Sequence, residues 1–217
     1  AGGSGAGGAR HLPAATPIAS AALAKAGKPL LSSETRTVQP VVDRLIKTGG
    51  LSEEDAGLLR RVSTALGESG ATVPAGDAEW ARALSLLTAA AAADATAFAA
   101  LNLLRVVALR AGGAPAIGAA ALEGIATRLG SASYTSAAAL LMAFAVVSNL
   151  FAHEAGRALA LAEAVAAPTV EAALRELRAA KSNVRQMAAA VLHNYALYLP
   201  VTAAAADGDG DGDGDGD

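Results

Sequence analysis

Apolar residues recur at helical spacing along most of this chain, from about residue 38 to residue 200. In one such segment Leu58, Leu59, Val62 and Leu66 share a face, with charged residues between them. That spacing is typical of an amphipathic α-helix with one buried face. The pattern predicts nine helices, over about 38–47, 52–66, 77–87, 94–109, 115–129, 134–151, 154–166, 169–178 and 183–199.

Local signals mark the ends of several of these helices. Gly49 and Gly50 together are a natural stop for the first helix, and Ser52 is placed to cap the second. Asp94 is predicted to cap the fourth helix in the same way. Pro168 and Pro200 are predicted to mark the last two boundaries, because proline interrupts a helical hydrogen-bond ladder.

Nine helices of this length, joined by short turns, cannot all be buried in one four-helix bundle. Stacked helical hairpins or triplets solve the problem, because neighbouring units cover each other's apolar faces. We therefore expect an all-α, armadillo-like α-solenoid of stacked helices. The period is not regular enough to establish a repeat from the pattern alone.

Composition divides the chain into three parts. Residues 1–37 are rich in Gly, Ala and Pro and lack periodicity, so we expect a disordered linker. Residues 38–200 form the expected helical domain. Residues 201–217 end in alternating Asp and Gly, which predicts a disordered, self-repelling tail.

Charge and composition exclude several classes of function. The 217 residues include no cysteine, which excludes disulfides and thiolate metal sites, and only 3% are aromatic. Six of the 20 acidic residues lie in Asp207–Asp217, so the rest carries 17 basic against 14 acidic residues. A net charge of +3 and few aromatic rings argue against nucleic-acid binding, and suit a modest acidic partner such as a peptide carboxylate.

Ser131–Ala152 is the stretch most similar to a membrane span, with 22 residues and no charge. It contains four serines, a threonine and an asparagine, and alanine supplies much of its apolar content. We interpret it as a buried helix and expect no membrane association. The start of the sequence shows no signal-peptide pattern, so we expect an intracellular protein.

No catalytic or metal-binding motif stands out. The three histidines are scattered, and His153 lacks the second histidine that a helical zinc site needs four residues on. Glu123, Glu154 and Glu171 are interpreted as solvated helix faces. We therefore expect no enzymatic activity, no metal and no cofactor.

Two apolar stretches carry unexpected polar residues. Arg105 follows three leucines within four residues and precedes two valines, and an arginine there must reach a surface, a partner or a ligand. Arg185 lies on the face of the last helix opposite its apolar side, whereas Asn149 and Asn194 border apolar arcs. Either the asparagines tie adjacent turns together and the arginines are exposed, or these residues form a binding surface.

Three motifs in these stretches resemble the PUL domain, the armadillo-like C-terminal module of the PLAA family. The first is DATAFAALNLLRVVAL at 94–109, with an acidic start and a late arginine. The second is VVSNLFAHEAGRALAL at 146–161, and the third is KSNVRQMAAAVLHNYALYL at 181–199, with its Asn-Tyr pair. The likeness, in this order, covers about 38–200.

The resemblance implies a cytoplasmic, and additionally nuclear, interaction module of ubiquitin-dependent degradation. PUL domains bind the acidic C-terminal tail of the valosin-containing AAA ATPase. On this basis the peptide-binding residues are expected to be two arginines, three asparagines and a weaker lysine: Arg105, Arg185, Asn149, Asn183, Asn194 and Lys181.

Other interpretations remain open at this point. The chain could be a helical appendage of an upstream enzyme, such as a peptidase or a thioredoxin-like domain, or a generic helical scaffold. The family's domain also continues with further helices after the Asn-Tyr helix. Here Pro200 leads into alanines and the Asp-Gly tail, so either a low-complexity insertion interrupts the domain or its last repeat is missing.

Overall fold

A computed structural model describes residues 27–32, 38–68 and 71–198. These residues form ten α-helices and no strand. In chain order the helices are α1 (Val38–Gly49), α2 (Glu53–Gly67), α3 (Ala78–Ala92), α4 (Asp94–Ala108), α5 (Gly113–Ile117), α6 (Ala119–Gly130), α7 (Ala137–Leu150), α8 (Glu154–Leu161), α9 (Glu163–Glu176) and α10 (Ser182–Tyr198).

The helices stack in rows, as an α-solenoid requires. Helices α1, α4, α7 and α10 pack successively against one another, and we call this series the inner row. Helices α6 and α9 pack closely in a second row, while α3 makes only a slight contact with α6. Each unit after α1 therefore supplies three helices, which confirms the predicted all-α, armadillo-like fold.

Burial explains why α4 and α7 lie at the centre. Every residue of α4 from Thr96 to Ala108 is buried except Phe98, which is half-buried. In α7 the run from Ala143 to Leu150 is buried on all sides. Helices without a polar face are stable only inside a structure, and these two are each covered by neighbours on both sides within the inner row.

The uncharged stretch at 131–152 forms a turn and then α7, which has only 14 residues. Among the described residues, none of the helices combines the length and the apolar character that crossing a bilayer needs.

Several helix ends follow the predicted capping chemistry. Ser52 Oγ accepts a hydrogen bond from the Asp55 amide at 3.1 Å, as predicted for an N-cap. Gly50, directly after α1, has a φ of +59°, a conformation that favours glycine. Pro200 lies outside the described residues.

Three predicted boundaries are wrong. Asp94 is the first residue of α4 and does not cap it; its carboxylate instead accepts hydrogen bonds from Arg128 and Thr135. Pro168 lies inside α9, because the chain turns earlier, at Ala162, where ψ is 135°. As the sixth residue of α9, Pro168 removes one backbone hydrogen bond within the helix, and its ring packs against α6 at Gly130.

The third error concerns the predicted helix at 115–129. It is divided at Gly118, whose φ of +84° is incompatible with a continuous helix. The short helix α5 before this break packs against α8, whereas α6 after it packs against α9. One glycine thus directs two successive segments to different neighbours.

Gly156 is a position where the fold tolerates no side chain. A Cβ there would overlap the carbonyl oxygen of Leu150 and lie 3.2 Å from the Ala114 Cβ. We expect Gly156→Ala to lower the free energy of unfolding by about 1–3 kcal/mol, measured by chemical denaturation.

The matched control is Gly124→Ala in α6, where a Cβ meets no atom within 4 Å. Alanine is the better helix former by about 1 kcal/mol, so this variant should be neutral or stabilising. Equal destabilisation of both variants would contradict the packing at Gly156.

Two buried tyrosines should make the fold sensitive to alkali. Burial raises the pKa of Tyr134 to about 12, and burial also raises the pKa of Tyr195, whose hydroxyl donates to Ala160 O at 2.9 Å. An unfolded tyrosine has a pKa of about 10. The folded state therefore holds more protons above that pH, and the contribution of these two tyrosines to stability should be constant below about pH 9 and fall as the pH rises through 10–12.

Denaturation at a series of pH values, followed by tyrosinate absorbance, would test this expectation. Tyr195→Phe should reduce the alkaline loss of stability. An unchanged alkaline slope in that variant would show that Tyr195 does not contribute to it.

Candidate peptide-binding site

Residues 27–32 lie across the inner row of helices, and we call this segment the strap. Asn194 of α10 binds both backbone groups of Leu30: its Oδ1 accepts from the Leu30 amide at 2.7 Å, and its Nδ2 donates to the Leu30 carbonyl at 2.9 Å. Ser148 Oγ of α7 donates to the same carbonyl at 2.6 Å. One asparagine thus holds one residue of the strap by its main chain.

Asn149 of α7 binds Ser32 in the same manner. Its Oδ1 accepts from the Ser32 amide at 2.7 Å, and its Nδ2 donates to the Ser32 carbonyl at 3.0 Å. Arg105 of α4 also donates to that carbonyl, from Nη1, at 3.1 Å. The strap therefore crosses α10, α7 and α4 in that order as its residue numbers increase.

The two asparagines also join neighbouring helices. Asn149 Nδ2 donates to the Arg105 carbonyl at 2.8 Å, and Asn194 Nδ2 donates to Ser148 O at 3.3 Å. Both asparagine residues are completely buried, and so is Ser148. Arg105, Asn149 and Asn194 follow one another at intervals of 44 and 45 residues, which reveals a repeat in the inner row.

This arrangement recognises a peptide backbone and not a particular side chain. A carboxamide carries one acceptor and two donors, so it can bind the N–H and the C=O of one residue. In an extended chain the N–H and C=O of one residue point to the same edge, and those of the next residue point to the opposite edge. Residues clamped on one edge are therefore two positions apart. Two extended residues span about 7 Å, close to the 8–10 Å between packed helices.

Arg105 is held inside the protein. The residue is 5% exposed, and its Nε donates to Asn102 Oδ1 at 2.7 Å in addition to the Nη1 contact with the strap. A buried guanidinium is tolerated only with such partners. The structure thus places Arg105 beneath the strap.

The remaining predicted site residues lie at the other end of α10. Arg185 Nη1 donates to the carbonyls of Ala179 and Ala180 at 2.5 and 2.9 Å, while Lys181 is exposed. Asn183 is exposed too, and its Oδ1 accepts from the Val184 amide at 2.9 Å.

The six predicted residues therefore form two groups. Nine residues separate Arg185 from Asn194, which is about 14 Å along a helix at a rise of about 1.5 Å per residue. The structure brings Arg105, Asn149 and Asn194 together at the strap, and it does not bring Lys181, Asn183 and Arg185 to the same point. The role of either group in binding a partner stays a prediction.

Several arginines are used within the fold as partners for helix ends. Arg110 donates to Leu66 O at 2.6 Å, and Arg128 donates to Ala91 O at 2.6 Å, near the ends of α2 and α3. Arg175 binds the carbonyls of Leu129 and Gly130 at the end of α6. Carbonyls at a helix C-terminus lack partners within the helix and carry partial negative charge, which explains this preference for cations.

Sequence reasoning missed the strap and the hydroxyl of Ser148. The predicted linker at 1–37 includes the strap, whereas the backbones of Leu30 and Ser32 are hydrogen-bonded to the inner row. The 44- and 45-residue intervals between the buried polar positions are a signal that could have indicated a shared partner. The described residues include no other part of that predicted linker, and they do not include the predicted tail at 201–217.

The described residues contain no cluster of three or more His, Asp or Glu side chains that could hold a metal ion. A family model described as the PUL domain matches residues 28–211 of the chain, a range that includes most of the strap and the whole inner row. Comparison with curated proteins and with solved structures gives no match.

The asparagine contacts predict a large difference between two positions of α10. Asn194→Ala removes contacts to Leu30 and Ser148 and leaves buried backbone groups unpaired. We expect the free energy of unfolding to fall by about 2–4 kcal/mol, and hydrogen exchange at the Leu30 amide to accelerate.

The matched control is Asn183→Ala, which changes the same residue type at the exposed start of the helix. It should alter stability by less than about 0.5 kcal/mol and leave exchange at Leu30 unchanged. If Asn194→Ala behaved like this control, the strap would not be held by the Asn194 amide.

Proposed function

Because the chain belongs to the PUL domain family, a family of helical protein-interaction modules without catalytic function, we propose that it binds the acidic C-terminal tail of the valosin-containing AAA ATPase. In this proposal the chain is an adaptor that recruits the unfoldase to ubiquitin-dependent degradation. Its place of action is the cytoplasm and also the nucleus.

The contacts between the inner row and the strap carry this proposal. The carboxamides of Asn149 and Asn194 bind an extended segment by its backbone, with two hydrogen bonds to each clamped residue. The stacked helices thus hold one extended segment, the strap, by its backbone. This supports the binding of a second extended peptide next to the strap. The strap belongs to the proposed site as part of its wall.

Exposed positive charges that form no ion pair with another described residue favour an acidic partner. Lys28 lies on the strap itself and is exposed. Arg178 and Lys181 are exposed between α9 and α10, and neither forms an ion pair with another described residue. These cations are available to carboxylates of a bound tail, unlike the arginines that bind helix ends.

The expected affinity is moderate. Two charge-assisted hydrogen bonds contribute about 1.5–3 kcal/mol each, and ordering a flexible tail offsets part of that gain. With the contribution of an apolar anchor, the binding free energy is about −8 kcal/mol, which corresponds to a dissociation constant in the micromolar range.

The test is a calorimetric titration of a synthetic peptide that spans the last ten or so residues of the ATPase. Lys181→Glu should weaken binding by roughly three- to tenfold at low salt, because the reversed charge repels the acidic tail. The difference should shrink as salt is added, since exposed charges are screened.

Lys47→Glu in α1 is the matched control, because it reverses an exposed lysine at the opposite end of the inner row. It should bind like the wild type, and circular dichroism should show the same helix content in both variants. Absence of binding by the wild-type chain would refute the proposed function. A loss in Lys47→Glu alone would place the site at the other end of the row.

A further inference from the structure

The strap uses only one of its two edges. The residues clamped by asparagine are Leu30 and Ser32, and each offers both its N–H and its C=O to the helices. In an extended chain the backbone groups of the residue between them point the opposite way. The N–H and C=O of Leu31 therefore face away from the inner row.

This second edge is accessible. Leu31 is 36% exposed and Leu30 is 50% exposed, the latter although its backbone is fully bonded. Among the described residues, none donates to or accepts from the backbone of Leu31. A strand edge with unpaired backbone groups is a template for a further extended chain.

We propose that this edge binds the acidic tail as an added β-strand, with Leu31 exchanging backbone hydrogen bonds with the tail. The inference rests on the proposed function and specifies how that site holds its partner. Addition of an extended peptide to an exposed strand edge is an established mode of recognition, in which main-chain bonds supply affinity. The exposed leucines offer apolar contact, and Lys28 supplies positive charge on the same segment.

Pro29 interrupts this pairing on the N-terminal side of Leu31. Its position, two residues before Leu31, places it on the same outward edge, where proline offers a carbonyl but no N–H. Beside each other on this edge, Leu31 offers an N–H and a C=O, whereas Pro29 offers a C=O alone. One missing donor next to Leu31 agrees with moderate affinity.

Leu31→Pro tests the outward N–H directly, because it removes a donor that the helices do not use. Its matched control is Leu31→Ala, which removes most of the same side chain and keeps the N–H. We expect Leu31→Pro to bind the synthetic tail peptide roughly three- to tenfold more weakly than Leu31→Ala, the effect of one lost hydrogen bond. Thermal stability and the slow exchange of the Leu30 and Ser32 amides should be the same in both variants.

A second measurement leaves the protein unchanged. Tail peptides carrying a single N-methyl group at successive positions should lose affinity at alternate residues, because only every second amide of an added strand faces the strap. This series tests whether the tail binds as an added β-strand even if Leu31→Pro loosens the strap.

The outcomes separate the two proposals. Equal binding by Leu31→Pro and Leu31→Ala, with no alternation in the N-methyl series, overturns strand addition while the binding function stands. If the wild-type chain does not bind the unmodified tail peptide, both the proposed function and this inference fail.

Discussion

The inner row depends on hydrogen bonds from buried carboxamides to a segment far away in the sequence. Asn149 and Asn194 are completely enclosed, and each would leave polar atoms unpaired without the strap. Leaving such atoms buried and unpaired costs about 1–3 kcal/mol for each group. The strap therefore stabilises the stacked helices, and the binding of alternate residues by the two asparagines agrees with an extended strap.

Arginine side chains likewise provide hydrogen-bond partners for backbone groups, in this case at the helix ends. Stacked short helices create many C-terminal carbonyls without intrahelical partners. Arg110, Arg128 and Arg175 satisfy such carbonyls in neighbouring helices, and Arg185 binds carbonyls of the loop before α10. Much of the positive charge of the described residues is thus engaged within the fold, and Arg128 and Arg175 join one unit to the next. Among the residues that the structure describes, only a minority of the cations, including Lys28 and Lys181, is left to act on a partner.

Prediction from sequence was most successful where the determining contacts are local. The spacing of apolar residues and the cap at Ser52 depend on neighbours within a turn or two, and the structure confirms both. The errors at Asp94 and Pro168 have a different cause. Arg128, from a distant helix, binds the Asp94 carboxylate, and Pro168 lies inside α9 at the loss of one backbone hydrogen bond, packed against α6.

The candidate site shows most clearly the difference between features set by local contacts and features set by distant ones. The amino-acid sequence by itself determined an all-α stack and identified Arg105, Asn149 and Asn194 as polar residues in apolar helices, because helical periodicity is a property of short segments. Only the tertiary structure decided what these residues bind. Their partners lie 73 to 164 residues away in the strap, a segment without periodicity, and a hydrogen bond requires that donor and acceptor meet in space. The side chains of the inner row come within hydrogen-bonding distance of the strap only when the helices have packed together.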